Sequence, residues 1–190
     1  TARLTEFQNS IDLKGILGSE TQFVSPWTLS CIVPADSKTG FTDFRTSIEQ
    51  ITEFNLLNQN GKFPAIINSI EVKINHASEI ATLAVMMPDG FDVYFEIDCQ
   101  RDPSAEITAL ARLREKPVNL RQGSAASSMN CRSNLFAKIR TGSTVAEQIP
   151  DSEKIARFVA LCARDAVPFK ATAGLHHPLR NEYRLTYEPD

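Results

Sequence analysis

The sequence predicts an α/β chain whose mostly parallel sheet curls into a (β/α) barrel or an incomplete barrel, with the helices outside. Three observations predict it. Short apolar segments alternate with helix-period segments five times along the chain, the pattern of a parallel sheet covered by helices. Several apolar segments also carry polar or charged residues on one face, late in the segment: Glu71 and Lys73, Glu96 and Asp98, Lys138 and Arg140, Lys170 and Thr172. An open sheet buried on both faces shows continuous apolar strands, whereas a barrel gathers polar groups at the C-terminal ends of its strands. Finally, Lys138 and Lys170 stand 32 residues apart with one clean helical pattern between them, the length of a β-α-β unit.

Residues 1–27 carry scattered apolar side chains interrupted by Gly15, Gly18 and Pro26, which suggests a short helix or irregular packing. Residues 28–33 read as a buried strand ended by Pro34, and a helix follows with Phe41, Phe44, Ile48 and Ile51 on one face and Thr42 as its N-cap. The second strand spans 65–74. After Ser78, the residues Ile80, Leu83, Ala84 and Met87 form a short amphipathic helix, closed by the turn Pro88-Asp89-Gly90. The third strand, 91–98, sets Val93, Phe95 and Ile97 against Tyr94, Glu96 and Asp98 on the opposite face. Pro103 suits the first turn of the next helix, which carries Ile107, Leu110, Ala111 and Arg114. Small and polar residues dominate 116–134, which reads as a long loop or insertion. The fourth strand is 135–140. Asp151 or Ser152 caps a helix with Ile155, Phe158, Val159, Cys162 and Ala166 on its core face, and 168–173 is the fifth strand. Five units do not close an eight-stranded barrel, so 1–190 is expected to be a single β/α domain, complete as a smaller or open variant or incomplete at one or both ends.

The bulk properties narrow the function classes. The chain has 190 residues, 42% hydrophobic content and a net charge of −3, enough for one domain with a sizeable core. No basic block marks a nucleic-acid surface, and no apolar run approaches ~18 residues, so no membrane partner is expected. The N-terminus lacks the charged-then-apolar pattern of a secretory signal. Cys31, Cys99, Cys131 and Cys162 are scattered without CxxC spacing, which fits reduced thiols and a cytoplasmic location.

Lys138 and Lys170 are the first candidates for chemistry. A lysine inside a small barrel is costly to bury as a cation, and desolvation with neighbouring cations depresses its pKa. Such an amine attacks carbonyl carbon and forms a Schiff base. The alternative is that the lysines pair with Glu71, Glu96 or Asp98 and neutralise the interior. Glu96 or Asp98 fits a general acid/base or a counter-ion equally. His176 and His177 fit substrate binding, proton transfer, a structural turn, or a divalent-metal site with Glu96 and Asp98. The turn Arg140-Thr141-Gly142-Ser143-Thr144 is rich in donors that suit a phosphate or carboxylate, with Arg180 as a second anion contact.

Two resemblances arise at these residues. Segments 138–142 (KIRTG) and 169–178 (FKATAGLHHP) resemble an uncharacterised group of bacterial proteins sharing Lys-x-Arg-Thr-Gly and Phe-Lys-Ala-Thr-Ala-Gly-Leu-His-His-Pro. That likeness implies common ancestry but supplies no activity. Segment 136–142 (FAKIRTG) also resembles the Schiff-base strand of class I aldolases of the deoxyribose-phosphate aldolase type, and 169–174 (FKATAG) resembles their following strand. This second likeness implies a (β/α) barrel with Lys138 as Schiff-base nucleophile and Lys170 as its electrostatic activator. The chain departs from that pattern where paired glycines become Ala173-Gly174, where Arg140 replaces a small residue, and where His176-His177 follow.

The leading expectation is therefore a cytoplasmic lyase acting on a small carbonyl metabolite, phosphorylated or carboxylated, without a cofactor. Lys138, Lys170, Glu96 and Asp98 are its catalytic candidates. Arg140, Thr141, Gly142, Thr172, His176, His177 and Arg180 are its substrate-binding candidates. The alternatives are a metal-dependent lyase or hydrolase and a non-catalytic ligand-binding barrel. Self-association is left open.

Overall fold

The structure, a computed structural model, describes residues 27–58, 65–115 and 135–174. Strands β1 (Trp27–Val33), β2 (Ala65–Lys73), β3 (Asp92–Ile97), β4 (Leu135–Arg140) and β5 (Phe169–Thr172) alternate with helices α1 (Thr42–Asn58), α2 (Ala77–Met86), α3 (Ser104–Glu115) and α4 (Ser152–Arg164). All strand pairs are parallel. The sheet order is β1-β2-β3-β4-β5, so each strand joins beside its predecessor. Right-handed crossovers in that order place every helix on one face of the sheet. The result is a curled half-barrel, the incomplete (β/α) barrel that the sequence predicts.

The period-2 patterns select the two faces. Val93, Phe95 and Ile97 of β3, Ala137 and Ile139 of β4, and Val72 of β2 are buried with Phe44, Ile51, Ile80, Leu83, Ile107, Leu110 and Phe158 of the helices. In β2 the pattern shifts phase: Leu29 pairs with Ile67 but Ser30 pairs with Ser69, leaving Asn68 as the extra residue of a bulge. The bulge lets Ile67 and Ile70, three apart, both reach the core. Asn55 of α1 supports this point, donating from Nδ2 to the Ile67 carbonyl and accepting from the Ile67 N–H, both at 2.8 Å.

Some expected details differ. Thr42 is the first residue of α1, and its hydroxyl donates to the Thr39 carbonyl instead of accepting as a cap. Asp151 caps α4 as expected, accepting from the Lys154 N–H. Val159 is exposed, while α4 buries Phe158 and Cys162 and packs Ile155 and Leu161 partly against the core. Ala166 lies beyond the helix in the left-handed region, where the chain turns towards β5. The segments 1–26, 59–64, 116–134 and 175–190 lie outside the described residues, so the expected N-terminal helix or irregular packing and the 116–134 loop or insertion are not among them. No described helix is long and apolar enough to cross a membrane.

Candidate active site

The face of the sheet turned away from the helices carries the charged residues. Register fixes their positions before any side-chain contact is considered. Lys73 of β2 pairs with Glu96 of β3, Glu96 with Lys138 of β4, and Lys138 with Lys170 of β5. Glu71 lies two residues before Lys73 on the same face, paired with Tyr94. Adjacent strands stand ~4.8 Å apart, so Glu96 and Lys138 meet directly, while Glu71 is two strands from Lys138 and three from Lys170 and meets them across the curled face through the long lysine side chains.

They form one ionic cluster. The Lys138 ammonium lies 2.6 Å from Glu71 Oε2 and 2.6 Å from Glu96 Oε2. The Lys170 ammonium donates to Glu71 Oε1, also at 2.6 Å. Ser30 of β1 donates to the same Glu71 oxygen at 3.1 Å. Tyr94 floors the cluster: Lys170 Nζ sits 3.7 Å from its ring centroid, and the ring stacks on Phe136 at 4.8 Å. The lysines differ in access, the side chain of Lys138 being 5% exposed and that of Lys170 28%.

The electrostatics reverse one expectation. Burial pushes the Lys138 ammonium down, but hydrogen bonds and charges from Glu71 and Glu96 outweigh it and hold its pKa above the ordinary value. A depressed Lys138 was expected from neighbouring cations, but its nearest neighbours are carboxylates. Burial likewise pushes Glu71 up, and the two ammonium groups more than compensate, holding it at about 2. The Tyr94 phenol is raised by burial and by Asp92 and Glu71. At neutral pH Glu71 is therefore an anion between two lysines, and Lys138 rests as an ammonium.

The remaining candidates divide. Asp98 does not join the lysines. β3 ends at Ile97, and the Asp98 carboxylate accepts from the Gln100 N–H and lies 3.7 Å from Arg101. Thr141, Gly142 and Thr172 form a seam between the turns after β4 and β5 instead of an open anion cradle. The Thr141 N–H donates to the Thr172 carbonyl at 2.9 Å and its hydroxyl to the Ala173 carbonyl at 2.5 Å. A Cβ on Gly142 would stand 2.5 Å from the Gly174 nitrogen, so the two turns touch backbone to backbone. Arg140 folds back to donate to the Gly142 carbonyl at 3.1 Å, and Ser143 bonds Gln148. His176, His177 and Arg180 lie outside the described residues. Among the described residues no three His, Cys, Asp or Glu side chains converge as metal ligands.

In the sequence Glu71 stands only as a possible counter-ion, yet it is the hub of the cluster; Tyr94 is set on the charged face without a role there, and Ser30 carries no signal. The available signal was parity, which sets Glu71 on the face of Lys73 two residues before the strand end. Compared with protein-family models, with curated proteins and with solved structures, the chain matches none of them.

Proposed function

We propose that the chain is a cytoplasmic Schiff-base lyase of the class I aldolase type, acting on a small carbonyl metabolite. The observation that carries this reading is the bridging of Lys138 and Lys170, register partners on adjacent parallel strands, by the single carboxylate of Glu71. Charge pairing alone needs no such sharing, whereas carbonyl chemistry needs an amine, a proton acceptor and a nearby cation together.

Lys138 rests as an ammonium, so the reaction begins with its proton passing to a carboxylate that it already touches. Glu96 is the suited acceptor, since Glu71 stays ionised between both lysines. The freed lone pair attacks the carbonyl carbon, and the oxygen leaves as water after taking up two protons. Glu96, a carboxylate again after protonating the departing oxygen, takes the proton of the β-hydroxyl as the Cα–Cβ bond breaks towards the iminium. This releases an aldehyde and leaves an enamine on Lys138. That enamine is protonated at carbon from Glu96, and water hydrolyses it to free the second carbonyl product and Lys138. Lys170 lies beside the site, held by Glu71 and by the Tyr94 face. The free state of the described thiols fits a reducing compartment.

Borohydride trapping tests this. The protein is incubated with small aldehydes, ketones and sugar phosphates, reduced, and mapped by peptide mass. The expected result is an irreversible adduct on Lys138, absent in Lys138→Met and formed faster at pH 9 than at pH 7. A second reading, a non-catalytic scaffold with internally paired charges, draws on the complete pairing of Lys138 and its raised pKa. An absence of adduct with every carbonyl at both pH values would favour that scaffold.

A further inference from the structure

We infer that the pocket at the C-terminal ends of β1, β2 and β3 is an anion site that takes the carboxylate or phosphate end of the substrate. The pocket has a volume of about 640 Å³ and is lined by Lys38, Lys73, His76, Arg101, Asp36 and Asp98, among others. The identity of the ligand's other end, a carbonyl, rests on the lyase reading above. The anion site itself does not.

Three features carry the inference. First, the cations of the pocket are less fully neutralised than those of the cluster. Among the described residues, neither the Lys38 nor the Lys73 ammonium has a carboxylate partner. Of the two acids, Asp36 accepts from the Lys38 N–H, and Asp98 accepts from the Gln100 N–H and pairs with Arg101, itself a lining residue. Lys38, Lys73 and Arg101 thus outnumber the carboxylates of Asp36 and Asp98 in the lining. Second, the position is right. Lys73 occupies the register row of Glu96, Lys138 and Lys170 and follows Glu71 on the same face. Lys73 and Lys138 are two strands apart, ~10 Å between backbones, a span that one small metabolite bridges. Third, the turn that the sequence offered for this role is spent, since the Thr141 donors are committed to the β5 turn.

The arrangement also restricts the substrate. The pocket lies on the β2 side of the reactive lysines, so a bound molecule crosses Glu96 between its anionic end and its carbonyl. A neutral carbonyl compound has no partner for Lys73 and is held more weakly.

The test uses inorganic phosphate as the probe, titrated calorimetrically at constant ionic strength against wild type, Lys73→Gln, Lys38→Gln and, as control, Lys154→Gln. Saturable binding is expected, weakened about tenfold by Lys73→Gln, the loss of one charge contact, weakened less by Lys38→Gln and unchanged by the control. In the trapping assay, glyceraldehyde 3-phosphate is expected to label at lower concentration than glyceraldehyde, with phosphate competing only against the former. Absence of saturable binding, or binding that Lys73→Gln leaves intact, overturns the anion site even if an adduct forms. Phosphate binding that Lys73→Gln weakens, with no adduct from any carbonyl, supports the anion site and removes the lyase reading.

Discussion

Lys138 is 4% exposed and keeps its charge because two carboxylates lie at hydrogen-bond distance. The interaction is buried enough for its loss to be felt. Lys138→Met leaves Glu71 and Glu96 without their shared cation, and breaking a buried pair from one side costs about 3–5 kcal/mol. Lys170→Met removes a more exposed ammonium, and Glu71 keeps Lys138, so about 1 kcal/mol is expected. Urea unfolding of both variants at pH 7 checks the ranking, and equal costs would show that the cluster is not centred on Lys138. Much of this site was legible. Parity set Glu71, Glu96, Lys138 and Lys170 on one face. The choice among carboxylates was not legible, because parity also gave Asp98 to that face. What decides is where β3 stops: past Ile97 the chain turns, and Asp98 serves that turn.

At the scale of elements, the turns after β4 and β5 behave as one unit. Gly142 and Gly174 approach so closely that a methyl group on either meets backbone, and Gly174 also lies at φ +69°. Backbone cannot step aside as a side chain can, so Gly142→Ala is expected to cost about 2–3 kcal/mol and to loosen β5 from β4. Gly90 at φ +91° has open space around its Cα, so Gly90→Ala meets only the conformational penalty, about 1 kcal/mol. Thermal melts of the two variants separate the effects, and a Gly142→Ala melt no lower than that of Gly90→Ala would contradict the seam. This contact explains why the sequence misleads at Thr141. A Thr-Gly turn after a strand looks like an anion cradle whether its donors face a ligand or a neighbouring turn. Only the pairing of β4 with β5 decides that the neighbour takes them. Strands and helices were legible because their apolar periods are long and regular. The bulge at Asn68 was not, because it depends on Asn55 reaching across from α1.

For the whole molecule, the cluster joins strands that the core joins from the other side. Glu71, Glu96, Lys138 and Lys170 belong to β2, β3, β4 and β5, and Ser30 adds β1. The half-barrel is thus laced by burial on its helix face and by ion pairs on its open face, and the ion pairs depend on pH. Glu71 falls from 4.5 to about 2 on folding. Its contribution is complete above 4.5 and is lost as pH falls towards 2. Lys138 is raised above 10.5. Its contribution is complete below that value and is lost as pH rises through the folded pKa. Wild-type stability is therefore expected to vary little with these two groups from about pH 5 to pH 10 and to decline outside that window. Lys138→Met should respond differently. With one of its two ammonium partners removed, Glu71 takes up a proton more readily, and its protonation relieves the repulsion between the two carboxylates. The variant's stability deficit relative to wild type is expected to narrow between pH 7 and pH 4, where a simple cavity would cost the same at both. Parallel Tm measurements across that range distinguish the two, since a constant deficit would mean that Lys138 supports the half-barrel by packing and not by charge.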